Sequence, residues 1–207
     1  MPEGRSESLS PLAQRAPAVV RVAILRAAYA ALALAFAALA ASVYVPSLLV
    51  PGLGLALLSG LLLALCGDDL PKWAGIALLA YFALTVLVFV AATPITIDKG
   101  DGYFVNPQPL ALAAEAFTWL SLAAPLMLAG AAALASWERE LPSRSLLVGA
   151  LAGFLLVGIL SVLLVPGELD ADAARRQGDI VKAIFAVSAA AGAAGAAWAA
   201  ARPDEYA

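Results

Sequence analysis

Six apolar runs of about 19 to 27 residues, parted by short charged gaps, take up most of this 207-residue chain. An α-helix rises 1.5 Å per residue, so about 20 apolar residues cross a hydrocarbon core of about 30 Å. Inside lipid each backbone N–H and C=O needs a partner within the protein, and a lone apolar run meets that demand by becoming a helix. The pattern therefore predicts an all-α membrane fold, a six-span transmembrane helix bundle with the lipid bilayer as its surroundings. The spans are expected at about 24–44, 48–66, 73–92, 110–136, 146–165 and 180–201.

The segments between the runs set the organisation. Residues 1–22 are polar and interrupted by proline, which predicts a flexible tail. Residues 23–201 form a single transmembrane domain, and 202–207 a short C-terminus. Val45-Pro46-Ser47 makes a tight break, and Pro51 is tolerated in the first turn of span 2, where no intrahelical N–H is lost. Gly67-Asp68-Asp69-Leu70-Pro71-Lys72 closes a second tight turn. In the longest gap, 93–109, Ile95, Ile97, Tyr103 and Val105 alternate around Lys99-Gly100-Asp101-Gly102, which predicts a short extracytoplasmic β-hairpin. Asp179 is expected as the N-cap of span 6.

Orientation follows the basic residues. With the N-terminus inside, Arg5, Arg15, Arg21, Arg26, Lys72, Arg139, Arg144 and Arg202 are cytoplasmic, against Lys99, Arg175, Arg176 and Lys182 outside. Eight against four predicts N-in and C-in. Trp73, Trp137 and Trp198 agree, since all three fall at cytoplasmic ends of spans, where amphipathic rings settle. Ala38-Leu39-Ala40 fits a signal-peptide cleavage site, but the long polar segment before span 1 argues against cleavage.

Composition narrows the chemistry. A single cysteine, Cys66, excludes paired-cysteine redox work, and a chain without histidine cannot supply imidazole to haem, zinc or a Ser-His-Asp triad. A net charge of −3 argues against nucleic acid as a partner. No cofactor is expected.

Few residues stand out as sites. Glu115 is the one acidic residue inside an apolar run, and a carboxyl in hydrocarbon costs about 2.5 kcal/mol or more, so such groups tend to face a bundle interior and serve a pathway. Placed at the interface instead, it is simply solvated. Lys182, a few residues into span 6 and at the same membrane surface, could pair with Glu115 and tie span 4 to span 6, or snorkel beside Asp179. Gly67-Asp68, Gly100-Asp101 and Gly178-Asp179 each lack the earlier glycine of a Gly-x-Gly-Asp protease segment, having Leu65, Asp98 and Arg176 there. Asp98-Lys99-Gly100-Asp101-Gly102 matches the opening of the CDP-alcohol phosphatidyltransferase signature, but Val105-Asn106 replaces the required Ala-Arg and no further aspartates follow at the required spacing. Glu168, Asp170 and Asp172, with Asp98 and Asp101, read as solvated acidic loops rather than a cation site.

Small residues give the firmest local signal. Gly149-x-x-x-Gly153, Ala56-x-x-x-Gly60 and Ser188-x-x-x-Gly192, followed by Gly195, allow helix backbones to approach closely. Together these features predict a non-enzymatic multi-pass protein of the cell membrane: an accessory or structural subunit that packs on other membrane subunits or on itself. The alternative is a small transporter or channel using Glu115 as an intramembrane carboxylate.

Overall fold

The computed structural model describes residues 18–92, 97–98, 103–104, 107–137, 141–163 and 171–201. Helix α1 spans Ala18–Ser42. A 3₁₀ turn, Pro46–Leu48, leads into α2, Leu49–Cys66, and α3 follows at Asp69–Ala92. Then come β1, Ile97–Asp98, and β2, Tyr103–Phe104, before α4, Pro107–Ala135; α5, Leu141–Leu163; and α6, Ala171–Ala201. All six α-helices carry stretches of 20 to 27 residues long and apolar enough to cross a membrane, the make-up of a multi-pass membrane protein.

Helix ends differ from the apolar limits. α1 begins at Ala18, α3 at Asp69, α5 at Leu141 and α6 at Ala171, each several residues before its apolar run. Hydrophobicity marks where lipid begins, whereas a helix continues through polar residues such as Arg21, Lys72 and Arg175 while water solvates their side chains. One expectation is overturned as a result. Asp179 lies inside α6 and does not cap it.

The β-strands pair antiparallel, Ile97 opposite Phe104 and Asp98 opposite Tyr103. The glycine-rich turn expected between them falls outside the described residues. The α2–α3 turn is tighter. Gly67 is extended and donates to the Leu63 carbonyl at 2.8 Å, while Asp69 takes φ 30°, a region aspartate tolerates better than most side chains.

Each α-helix packs on its sequence neighbour, and α6 returns to α1, so the six form a closed ring. α1 is the most buried, with 44% of its span inside the protein. Leu25, Tyr29, Leu32, Phe36 and Leu39, with Ala28 and Ala35 between them, recur at steps of three and four and form one buried face. Phe36 stacks on Phe154 of α5 with ring centroids 6.4 Å apart, and Phe154 meets Phe185 of α6 edge-on at 5.2 Å.

Lipid tails are as apolar as leucine, so helices in a bilayer associate through close packing and polar contacts, not hydrophobic expulsion. Close approach is what the glycines provide. A Cβ on Gly192 would come within 2.7 Å of the Phe36 ring, one on Gly195 within 2.9 Å of Leu147, and one on Gly75 within 2.6 Å of the Gly60 carbonyl.

Candidate functional site

Burial along α3 to α6 is one-ended, whereas α1 is buried along most of its length. Call the N-terminal end the one that holds the start of α1, the α2–α3 turn, the junction of α4 with α5, and the end of α6. There α4 buries Leu128, Ala129 and Ala131 to Ala133, and α6 buries Ala189, Ala196 and Ala199. Towards the far end, Leu112, Trp119 and Leu122 of α4, Leu155 and Ile159 of α5, and Ile180 and Val187 of α6 are exposed.

Polar contacts between helices gather at the same end, although Ser145 there also donates back to Pro142 of its own helix. At the N-terminal end, the buried Tyr29 hydroxyl donates to the Ala135 carbonyl at 2.7 Å, and the buried Ser143 hydroxyl donates to the Gly195 carbonyl at 3.0 Å. Arg21 forms an ion pair with Asp68, fastening the start of α1 to the α2–α3 turn. Arg144 lies over the Trp137 ring, 4.0 Å from its centroid. Towards the far end, hydroxyls fold back on their own helices: Thr85 onto Tyr81, Thr118 onto Ala114, Ser121 onto Phe117 and Ser161 onto Val157. Between the two ends, the Tyr81 hydroxyl donates to the Leu120 carbonyl and joins α3 to α4.

Where the packing loosens, the ring holds a cavity of about 890 Å³. Leu39 of α1, Leu49 and Leu53 of α2 and Phe82 of α3 form one side. Opposite them are Trp119, Ser121, Leu122 and Pro125 of α4, and Phe154, Leu155, Gly158, Ile159 and Ser161 of α5, while α6 contributes Phe185. Trp119, Leu122 and Ile159 are exposed as well as cavity-lining, so the space communicates with the outer surface beside α4 and α5. Pro125 sits inside α4 and cannot donate to the Ser121 carbonyl one turn earlier, which weakens the helix beside the cavity.

The two ionisable residues singled out in the sequence stand apart from this space. Glu115 is exposed on α4 and does not line the cavity; Lys182 is exposed on α6. Among the described residues no ion pair joins them, because α4 and α6 are separated in the ring by α5 and barely touch. The small residues divide. A Cβ on Gly153 of α5 would collide with the Ser188 hydroxyl of α6, and Gly192 and Gly195 meet Phe36 and Leu147 as described above. Gly149 is exposed, with nothing within 4 Å of an added Cβ. Only one end of the Gly149-x-x-x-Gly153 pair therefore meets a neighbouring helix.

Among the described residues no three His, Cys, Asp or Glu side chains gather as a metal site. The side chains of Asp98, Asp101, Glu168, Asp170 and Asp172 fall outside the described set. Sequence reasoning passed over Tyr29, Tyr81, Gly75, Pro125 and the Arg21–Asp68 pair. Pro125 was legible, as a proline deep in an apolar run. The others depend on which helices meet. The chain matches no protein-family model, no curated protein and no solved structure.

Proposed function

We propose that this protein is a non-enzymatic accessory or structural subunit of a cell membrane, with both termini cytoplasmic and the segment holding β1 and β2 outside. One observation carries the reading. The residues buried among those described carry no charge, and their polar side-chain groups are hydroxyls, those of Ser59, Ser136, Ser143, Ser188, Tyr29 and Tyr81. A path for an ion or a polar solute needs polar groups along its length, and an alanine-packed interior serves cohesion instead. Favouring the orientation, Arg21, Arg26, Lys72 and Arg144 share the N-terminal end with exposed Trp73, Trp137 and Trp198. The transporter reading would need Glu115 in the interior, and its exposure on α4 favours the accessory role.

The test is the size of the assembly taken from its native membrane. Solubilised in a mild detergent, the chain should run within a complex of defined stoichiometry, heavier than its own 21.0 kDa. A single chain carrying only detergent and lipid would overturn the proposal.

A further inference from the structure

Pro125 leaves a hydrogen-bond acceptor in the wall of the cavity. In an unbroken helix the Ser121 carbonyl would take the N–H of residue 125, and proline has none. Ser121 and Pro125 both line the cavity, so the gap in the hydrogen bonding of α4 lies along its wall. In lipid such a carbonyl is costly to strand, and transmembrane prolines are tolerated where a nearby hydroxyl or water supplies the missing donor.

The hydroxyls nearby are already engaged. Ser121 donates to Phe117, Thr118 to Ala114 and Ser161 to Val157, while Tyr81, which reaches α4 from α3, donates to the neighbouring carbonyl of Leu120. Trp119 carries an indole N–H, but it stands two residues before Ser121 and about 160° round the helix. A water needs two to four polar partners, and beside this carbonyl it would find acceptors and no donor. The donor is therefore left to whatever fills the cavity.

Depth and charge narrow the occupant. Ser121 lies nine residues inside the Leu112 end of its span, about 14 Å along a helix that crosses about 30 Å of hydrocarbon. A charged headgroup at that depth is costly, and no charged side chain lines the cavity to offset it. The donor belongs to an uncharged group, and the leucines and phenylalanines around it suit a hydrocarbon body. At about 890 Å³ the space falls within the roughly 300 to 1,000 Å³ of sites that enclose small organic ligands. Its opening beside α4 and α5, at exposed Leu122 and Ile159, admits such a molecule from the bilayer.

We infer that the cavity binds one uncharged lipophilic alcohol, its hydroxyl donating to the Ser121 carbonyl at the Pro125 break and its chain lying against Phe82, Phe154 and Phe185. The site stands whether or not the chain serves as an accessory subunit, since it needs only the break in α4 and a bilayer around it.

A matched pair of ligands tests it. The full chain is placed in phosphatidylcholine nanodiscs holding equal amounts of tetradecanol and tetradecyl methyl ether, extracted in mild detergent and weighed by native mass spectrometry. The ether keeps the chain and the oxygen but lacks the donor. One alcohol should remain on each protein, favoured over the ether about fivefold, the effect of one hydrogen bond between neutral groups. Pro125→Ala returns an N–H to the Ser121 carbonyl and should bring alcohol and ether to parity, with one of them still retained. Gly158 lines the cavity and nothing lies within 4 Å of an added Cβ, so Gly158→Leu should abolish retention of both; should that variant fail to fold, Leu122→Trp fills the same space. Parity in the unaltered chain, a Pro125→Ala chain that keeps the preference or drops both ligands, or retention by a folded cavity-filled variant would each overturn the inference. So would phosphatidylcholine retained in place of the alcohol, by showing that the space takes bulk lipid.

Discussion

The Tyr29 hydroxyl of α1 donates to the carbonyl of Ala135, the last residue of α4, and both residues are buried. A helix leaves its final carbonyls without intrahelical donors, and inside an apolar bundle such a group is expensive to strand. Tyr29 satisfies one of them and in the same contact fixes α1 to α4 across the ring. Tyr29→Phe keeps the ring and removes the donor, so the loss should be about 1 kcal/mol. Reversible unfolding in mixed micelles would measure it, and an unchanged unfolding midpoint would show that the bond contributes nothing.

The α5–α6 seam offers a matched pair of substitutions. Gly153→Leu drives a side chain into Ser188 and should lower stability by at least about 2 kcal/mol, as overpacking of a close contact does. Gly149→Ala meets open space and relieves a glycine within a helix, so it should raise stability by about 0.5 kcal/mol. Equal effects at the two positions, read from unfolding curves in one detergent, would contradict this packing.

Arg21 and Asp68 retain 21% and 41% side-chain exposure, so solvent screens the pair. Asp68→Asn should cost about 0.5 kcal/mol. The charge-reversed double variant, Arg21→Asp with Asp68→Arg, should recover most of that loss. A double variant less stable than either single one would show that the two side chains do not act as a pair.

How much of this was legible depended on the kind of information. The six runs announced themselves because spanning lipid fixes both length and composition, and six helices of that kind are present. Their limits were misplaced at Asp69, Leu141 and Ala171 because polar residues continue a helix once it leaves hydrocarbon, and Asp179 lost its capping role for the same reason. Gly149 and Gly153 look alike in sequence; only the position of α6 distinguishes them. Glu115 and Lys182 seemed suitable partners by depth, but depth along a helix says nothing about which helices are adjacent in a ring. The cavity was the least legible feature, since it arises where neighbouring helices part. Its one local trace is Pro125, which interrupts the hydrogen bonding of α4 beside it.

The central claim is that one half of the bundle is closed and the other is open around an apolar cavity. Alkylation of single cysteines by a small lipid-soluble reagent tests it most directly, in Cys66→Ser chains held in bilayers at fixed pH. Ser161→Cys lines the cavity, whereas Ala132→Cys and Ala196→Cys replace fully buried residues at the N-terminal end. The account predicts rapid modification at position 161 and near-complete protection at 132 and 196. Comparable rates at all three positions would contradict it.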